Sequence, residues 1–224
     1  MSKVLLIFAK RPTPGRVKTR LVPPLSPEEA AELYRRMLLD ILAKVGQIAD
    51  VDIVLCYEQG EGAREYFEGV VPGGAIRPQE GADLGARMGE AFRYAFAAGY
   101  ERVAVIGTDS PDLPAEVVDR AYGLLGDSAV DAVFGPSEDG GYYLLAMKRF
   151  HPELFAGIPW STGEVLERSL DRAAGAGIAT VLLPVWYDVD TAADLRRPGL
   201  IAPANGAPLT REFIRGLRLG DDRQ

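Results

Sequence analysis

Short apolar runs rich in β-branched residues alternate along this chain with stretches whose apolar positions recur every three or four residues. The runs predict strands over 4–8, 52–57, 75–77, 103–107, 131–134, 142–147 and 178–183. Most are apolar throughout, as in strands covered on both faces rather than on one. Helical periodicity fills the intervals, at 27–49, 62–68, 84–98, 115–126, 162–176 and 191–197. Ser26-Pro27-Glu28-Glu29 forms a capping box with proline at the first helical position. Ala30, Leu33, Tyr34, Met37, Leu38, Ile41 and Val45 then mark one apolar face. Ser161-Thr162-Gly163-Glu164 has the form of a second box, with Trp160 and Val165 placed as a hydrophobic staple. Asp83 is placed to cap a helix whose core positions are Leu84, Met88, Ala91 and Ala95.

Strand and helix in alternation predict an α/β domain with a mainly parallel sheet. Such sheets bind ligands beyond the carboxyl ends of their strands, which directs attention to the residues just after each run. No repeat or linker divides the chain. One domain is expected over 1–198, followed by an extension over 199–224 with a short helix at 210–219 and a polar, frayed end at 220–224.

Composition then narrows the chemistry. A single cysteine, Cys56, excludes an internal disulfide, a cysteine zinc site and a CxxC redox pair. The single histidine, His151, would have to serve any Ser-His-Asp or Cys-His scheme, yet Arg149-Phe150-His151-Pro152 has the character of a surface turn. No apolar run approaches the ~20 residues of a membrane helix. The start, Met1-Ser2-Lys3 leading into an apolar run closed by Lys10-Arg11, lacks the order of a signal peptide, so a cytoplasmic protein is expected. The net charge of −7 argues against nucleic acid as a partner.

That charge is unevenly placed. Residues 9–21 carry Lys10, Arg11, Arg16, Lys18 and Arg20 and no acid, which leaves −12 on the rest of the chain. A basic loop after the first strand of an acidic protein suits a polyphosphate, since arginine offers forked donors and lysine a mobile point charge. Lys18-Thr19 echoes the end of a Walker A loop, but Gly15 is the loop's one glycine and Pro23-Pro24 delays the next helix. A GxGxxG dinucleotide signature is also missing.

Carboxylates follow other strands. Asp109, in Gly107-Thr108-Asp109-Ser110-Pro111, is a candidate ligand for Mg²⁺ or Mn²⁺, hard ions that bridge to phosphate oxygens. Asp112 is instead expected to cap or favour the helix that Pro114 opens. Asp188 and Asp190 follow the last strand. Extended backbone would send them to opposite faces, so only one is expected to reach the site, and Asp190 could alternatively cap the 191–197 helix. Gln79 and Gly81 have no evident structural duty, and glutamine supplies the donor and acceptor that a base edge requires. In Ser137-Glu138-Asp139-Gly140-Gly141 the Asp-Gly pair is also a hairpin signal; the glycines allow close backbone approach to a sugar or acceptor, and Asp139 and Glu138 are candidate general bases.

These five segments in order, from Phe8-Ala9-Lys10-Arg11-Pro12 to Asp188-Val189-Asp190-Thr191, resemble a bacterial family of glycosyltransferase-type proteins in the nucleotide-diphospho-sugar transferase superfamily, some called radical-SAM/selenodomain-associated transferases. The resemblance spans about residues 3–197. It implies the GT-A fold, a Rossmann-like three-layer sandwich. It also implies that Lys18 and its cationic neighbours face phosphates, that Gln79 and Gly81 lie near the base, and that Asp109 and Asp190 flank a divalent metal. The phosphate loop departs from the glycine-rich form of related guanylyl- and cytidylyltransferases. The expected function is metal-dependent transfer of a glycosyl group from a nucleotide sugar to a small-molecule acceptor. The alternatives are nucleotidyl transfer from a nucleoside triphosphate, or nucleotide binding without turnover.

Overall fold

The computed structural model describes residues 2–217. Seven strands form one sheet: β1 (Lys3–Ala9), β2 (Asp52–Tyr57), β3 (Ala75–Pro78), β4 (Arg102–Ile106), β5 (Ala132–Pro136), β6 (Tyr142–Met147) and β7 (Thr180–Leu182). Their order is β3-β2-β1-β4-β6-β5-β7, with β6 antiparallel to its neighbours β4 and β5 and every other pairing parallel. The helices are α1 (Pro27–Val45), α2 (Ala63–Val70), α3 (Leu84–Ala97), α4 (Ala115–Leu124), α5 (Val165–Gly175), α6 (Pro198–Ile201) and α7 (Pro208–Gly216).

The two-residue period of the strands divides the core into layers. Leu5, Ile7, Ala104, Ile106 and Leu144 face α1 and α4 through Ile41, Val118 and Tyr122. Val4, Leu6, Val103, Val105 and Leu145 face α3 and α5 through Met88, Phe92 and Ala173. This is the expected three-layer α/β sandwich, and its apolar-throughout strands are those buried on both faces. None of the helices among the described residues is long and apolar enough to cross a membrane.

The capping box at Ser26 forms in both directions, and Asp83 accepts from Ala86 N. The second predicted box does not form. Ser161 has φ of 66°, Thr162 Oγ1 receives Glu164 N instead, and α5 starts only at Val165 without a side-chain cap. Trp160 lies across Gly85 and edge-on to Tyr142 rather than stapling the helix. Leu84, expected in the core, is exposed as the first residue of α3. The helix expected at 191–197 is a 3₁₀ turn over Asp194–Arg196 followed by α6. Of the expected C-terminal extension, α7 packs onto α1: Asp40 accepts from Leu209 N and Thr210 N, while Ile214 joins Leu33 and Met37. Leu219 and the 220–224 tail lie outside the described residues.

His151 is not on the surface. It is buried and accepts from Arg149 Nε at Nε2. Because β6 runs antiparallel, with Met147 beside Val103, His151 follows the opposite sheet edge from the candidate site. Burial, and then the Arg149 charge, lower its pKa. Between the lowered folded value and the unfolded value of ~6.5 the unfolded chain binds more protons, so this group's contribution to stability is lost as pH falls through that window. Melting temperatures of His151→Gln should therefore fall less than wild type between pH 7 and pH 5; parallel decline in the two proteins would contradict this.

Candidate active site

Three of the connections at the carboxyl ends of the parallel strands meet at the candidate site: residues 10–26 after β1, 107–114 after β4 and 183–197 after β7. The first carries the basic run and the other two carry the aspartates. Lys18 ends its loop with φ 47° and ψ 38°, and its carbonyl accepts from Leu21 N at 2.9 Å as a 3₁₀ turn begins. A left-handed residue with a Cβ costs about 1–2 kcal/mol, which the surrounding structure must offset. Leu21 and Val17 are buried on either side and fix that turn against α1.

Lys18 Nζ donates to Asp109 Oδ1 and, at 2.9 Å, to Asp190 Oδ1. Its side chain is 3% exposed, while those of Asp109 and Asp190 are 48% and 37% exposed. Burial acts to lower the Lys18 pKa, but the two carboxylates outweigh it and hold the ammonium well above its usual range. Arg20 Nη1 approaches Asp190 Oδ2 at 3.9 Å from an exposed position. Lys10 and Arg16 are exposed on the same loop. Arg11 turns aside to donate to Glu61 O at 2.6 Å.

Both aspartates after β7 reach the cluster, which corrects the expectation that only one would. Asp188 Oδ1 accepts from Ser110 Oγ at 2.8 Å, next to Asp109. Burial, and then the Asp109 charge, push its pKa up to about 6. The segment does not run as a free strand: Val189 N donates to Asp109 O at 2.8 Å, and the Val189 side chain is buried with Leu21, Leu33 and Leu195. Nor does Asp190 cap a helix. Asp194 supplies the local acceptor instead, receiving Asp190 N, Thr191 N, Thr191 Oγ1 and Arg197 Nε.

No capping pattern in the sequence marks Asp194, because such patterns stand at the front of a helix and this carboxylate acts from three residues inside the turn. Burial raises its pKa, but the bonds from Arg197 and Thr191 outweigh it and hold the carboxyl below its usual range. Asp194→Ala should orphan several donors and cost about 2–4 kcal/mol, or roughly 4–16 °C in Tm. Asp194→Asn, which keeps an acceptor, should lose clearly less; equal losses in thermal melts would show that the acceptor does not anchor this segment.

Other expectations change. Asp112 caps no helix; it is buried, with Tyr187 OH and Trp186 Nε1 donating to it, and Pro114 stands at the start of α4. Gln79 does have a structural duty: its buried amide Nε2 donates to Cys56 O at 2.8 Å and Ala9 O at 3.4 Å, joining the ends of β1 and β2. Only its carbonyl oxygen remains for a ligand. Gly81 has φ of 142°, and a Cβ there would press on the backbone of Ala86 and Arg87. Asp139 closes an Asx turn, its Oδ1 accepting from Ser137 Oγ and Gly141 N, while Glu138 is clamped by Arg197. Gly140 packs against Gly163, and its carbonyl accepts from Leu166 N. Tyr34, assigned only to the core by periodicity, receives Lys10 N and bonds Thr108 Oγ1 at 2.7 Å, tying the basic loop to the Asp109 loop.

A cavity of about 90 Å³ lies beside the carboxylates, lined in part by Gly107, Asp109, Ser110, Tyr143 and Asp188. Among the described residues no three carboxylate, imidazole or thiolate side chains are arranged as a metal cage. The donors nevertheless fit Mg²⁺ or Mn²⁺. They are hard oxygens, Asp109 is half open, and Asp188, whose pKa burial raises first and the Asp109 charge second, lines the same cavity; magnesium commonly takes one or two carboxylates and completes its shell with phosphate and water.

The sheet order defines a mixed α/β fold of the Rossmann type, with a basic loop facing strand-end aspartates. The chain belongs to the family DUF2064, described as "Uncharacterized protein conserved in bacteria", whose model matches residues 41–162. It is similar to a crystal structure from Desulfovibrio desulfuricans G20 assigned provisionally as a nucleotide-diphospho-sugar transferase, with 36% identity, 96% of this chain and 98% of that one covered, and a TM-score of 0.86. A curated relative, the 2-phospho-L-lactate guanylyltransferase of Methanothermobacter thermautotrophicus, is 29% identical over 90% of this chain and 85% of its own. The fold is shared with CMP:2-keto-3-deoxy-manno-octonic acid synthetase complexed with CTP, at 16% identity, 97% and 100% coverage, and a TM-score of 0.57.

Proposed function

We propose that this protein is a metal-dependent nucleotidyltransferase that moves a nucleoside monophosphate from a nucleoside triphosphate onto a phosphorylated small molecule. The observation that carries the reading is the Lys18 ammonium set between Asp109 and Asp190 where β1, β4 and β7 release their loops. Lys18, with Lys10, Arg16 and Arg20 on the same loop, neutralises the triphosphate. Asp109 with Asp188 and Asp190 would hold Mg²⁺ or Mn²⁺, which when bound supplies Lewis-acid neutralisation of phosphate charge. The Gln79 carbonyl oxygen and the backbone at Gly81 serve the base; Gly140, Gly141 and Asp139 serve the acceptor. An acceptor phosphate oxygen attacks the α-phosphorus, the bond to the β-phosphate bridging oxygen breaks, and its electron pair leaves with pyrophosphate.

A phosphate nucleophile is already anionic and needs no general base. That matches a site in which the two candidate bases are otherwise engaged, Glu138 by Arg197 and Asp139 by its own turn. Glycosyl transfer from a nucleotide sugar is the second reading, favoured by the 36% identical Desulfovibrio relative. There Asp139 would use its free oxygen to activate an acceptor hydroxyl. Product analysis separates them: pyrophosphate from a nucleoside triphosphate plus phosphorylated acceptors supports nucleotidyl transfer, and free nucleoside diphosphate from a sugar donor supports glycosyl transfer. Binding with neither product across a broad acceptor panel would favour a nucleotide-binding protein without turnover.

A further inference from the structure

Lys18 is the most enclosed charge at the site, yet the carboxylates it joins are open to solvent. Its ammonium places positive charge between two aspartates, as a divalent ion would, and it takes one oxygen of each: Oδ1 of Asp109 and Oδ1 of Asp190. An ammonium and a metal ion sharing those oxygens would lie within a few ångströms of one another and repel, with less screening than at a fully exposed site. Unlike arginine, lysine carries its charge at the end of a flexible four-carbon stem, so Nζ can leave the carboxylates while the Lys18 backbone stays on its turn.

We propose that Lys18 is a resident cation that competes with divalent metal for Asp109 and Asp190 in the ligand-free protein and transfers to the phosphates when nucleotide binds. The carboxylates then become available as the triphosphate draws the ammonium away, so metal and nucleotide bind with positive coupling that runs through Lys18. By linkage the effect is reciprocal: whatever nucleotide gains from metal, metal gains from nucleotide. The inference rests on the proposed nucleotide and metal site and adds the order in which its charges assemble.

The test is calorimetric titration of Mn²⁺ into nucleotide-free protein. Lys18→Met, which keeps the stem and removes the charge, should bind Mn²⁺ about tenfold more tightly than wild type, a factor usual for coupled sites. Lys18→Arg, which keeps a cation, should stay close to wild type. Lys18→Met binding no more tightly than wild type, as a folded protein by circular dichroism, would overturn the inference, and does so equally if neither form binds. If Lys18→Met does not fold, wild type decides through reductive methylation read by mass spectrometry at Lys18. Mn²⁺ should raise its labelling several-fold, and unchanged protection overturns the inference. The function reading fails separately, if wild type binds neither GTP nor another nucleoside triphosphate with Mn²⁺ present.

Discussion

Asp109→Ala should abolish the metal-dependent rise in melting temperature that a nucleotide produces and lower turnover by about 10²–10³-fold, the loss typical when one electrostatic stabiliser of the transition state is removed. The reasoning is local. Asp109 stands directly after β4, shares Lys18 with Asp190, and raises the pKa of Asp188 by its charge. Removing it takes away a candidate metal ligand and unbalances the ammonium. The fold itself should survive, since Lys18 retains Asp190 at 2.9 Å and the Val189–Asp109 bond uses only backbone. Thermal shift with nucleotide, with and without Mn²⁺, reads the effect; an undiminished shift would remove Asp109 from the site.

Gly140→Ala should be the most damaging single change to stability among the glycines at the site. Gly140 has φ of 87°, and a Cβ there would enter the van der Waals radius of the Gly163 carbonyl oxygen, which is backbone and cannot rotate away. Left-handed strain and overpacking together cost about 3 kcal/mol or more, or about 6–12 °C in Tm for a chain of this size. The same change would separate the 137–141 turn from the first turn of α5, because Leu166 N relies on Gly140 O. Gly123→Ala is the control: it lies within α4 with open space around it, so it should be neutral or stabilise by up to about 1 kcal/mol. Similar melts for both variants would show that the contact at Gly140 is soft.

Much of the architecture could be read from local pattern. The 52–57 and 142–147 strands agree with their observed bounds, and the capping box at Ser26 and the cap at Asp83 form as their residues dictate. These features depend on a residue and its near neighbours, so a linear reading finds them. The second box fails for a reason outside its own four residues: Gly163 is packed against Gly140, and Ser161 is turned into the left-handed region. The burial of His151 is likewise a tertiary result: an Arg-Phe-His-Pro segment does not say what packs over the turn that follows β6.

The candidate site divides in the same way. Sequence by itself determined that an acidic chain keeps five cations on one loop and that aspartates follow its strands, because charge and strand-end position are properties of the order of residues. Only the tertiary structure decided which of them meet. Lys18 lies 91 residues from Asp109 and 172 from Asp190 along the chain, and pairing at that distance is set by sheet order. Folding likewise assigned Gln79 to the backbone of β1 and β2, gave Asp112 to Tyr187, and made Asp194 the anchor of Asp190. A buried polar group must find a partner wherever packing leaves one, and that choice is made in three dimensions.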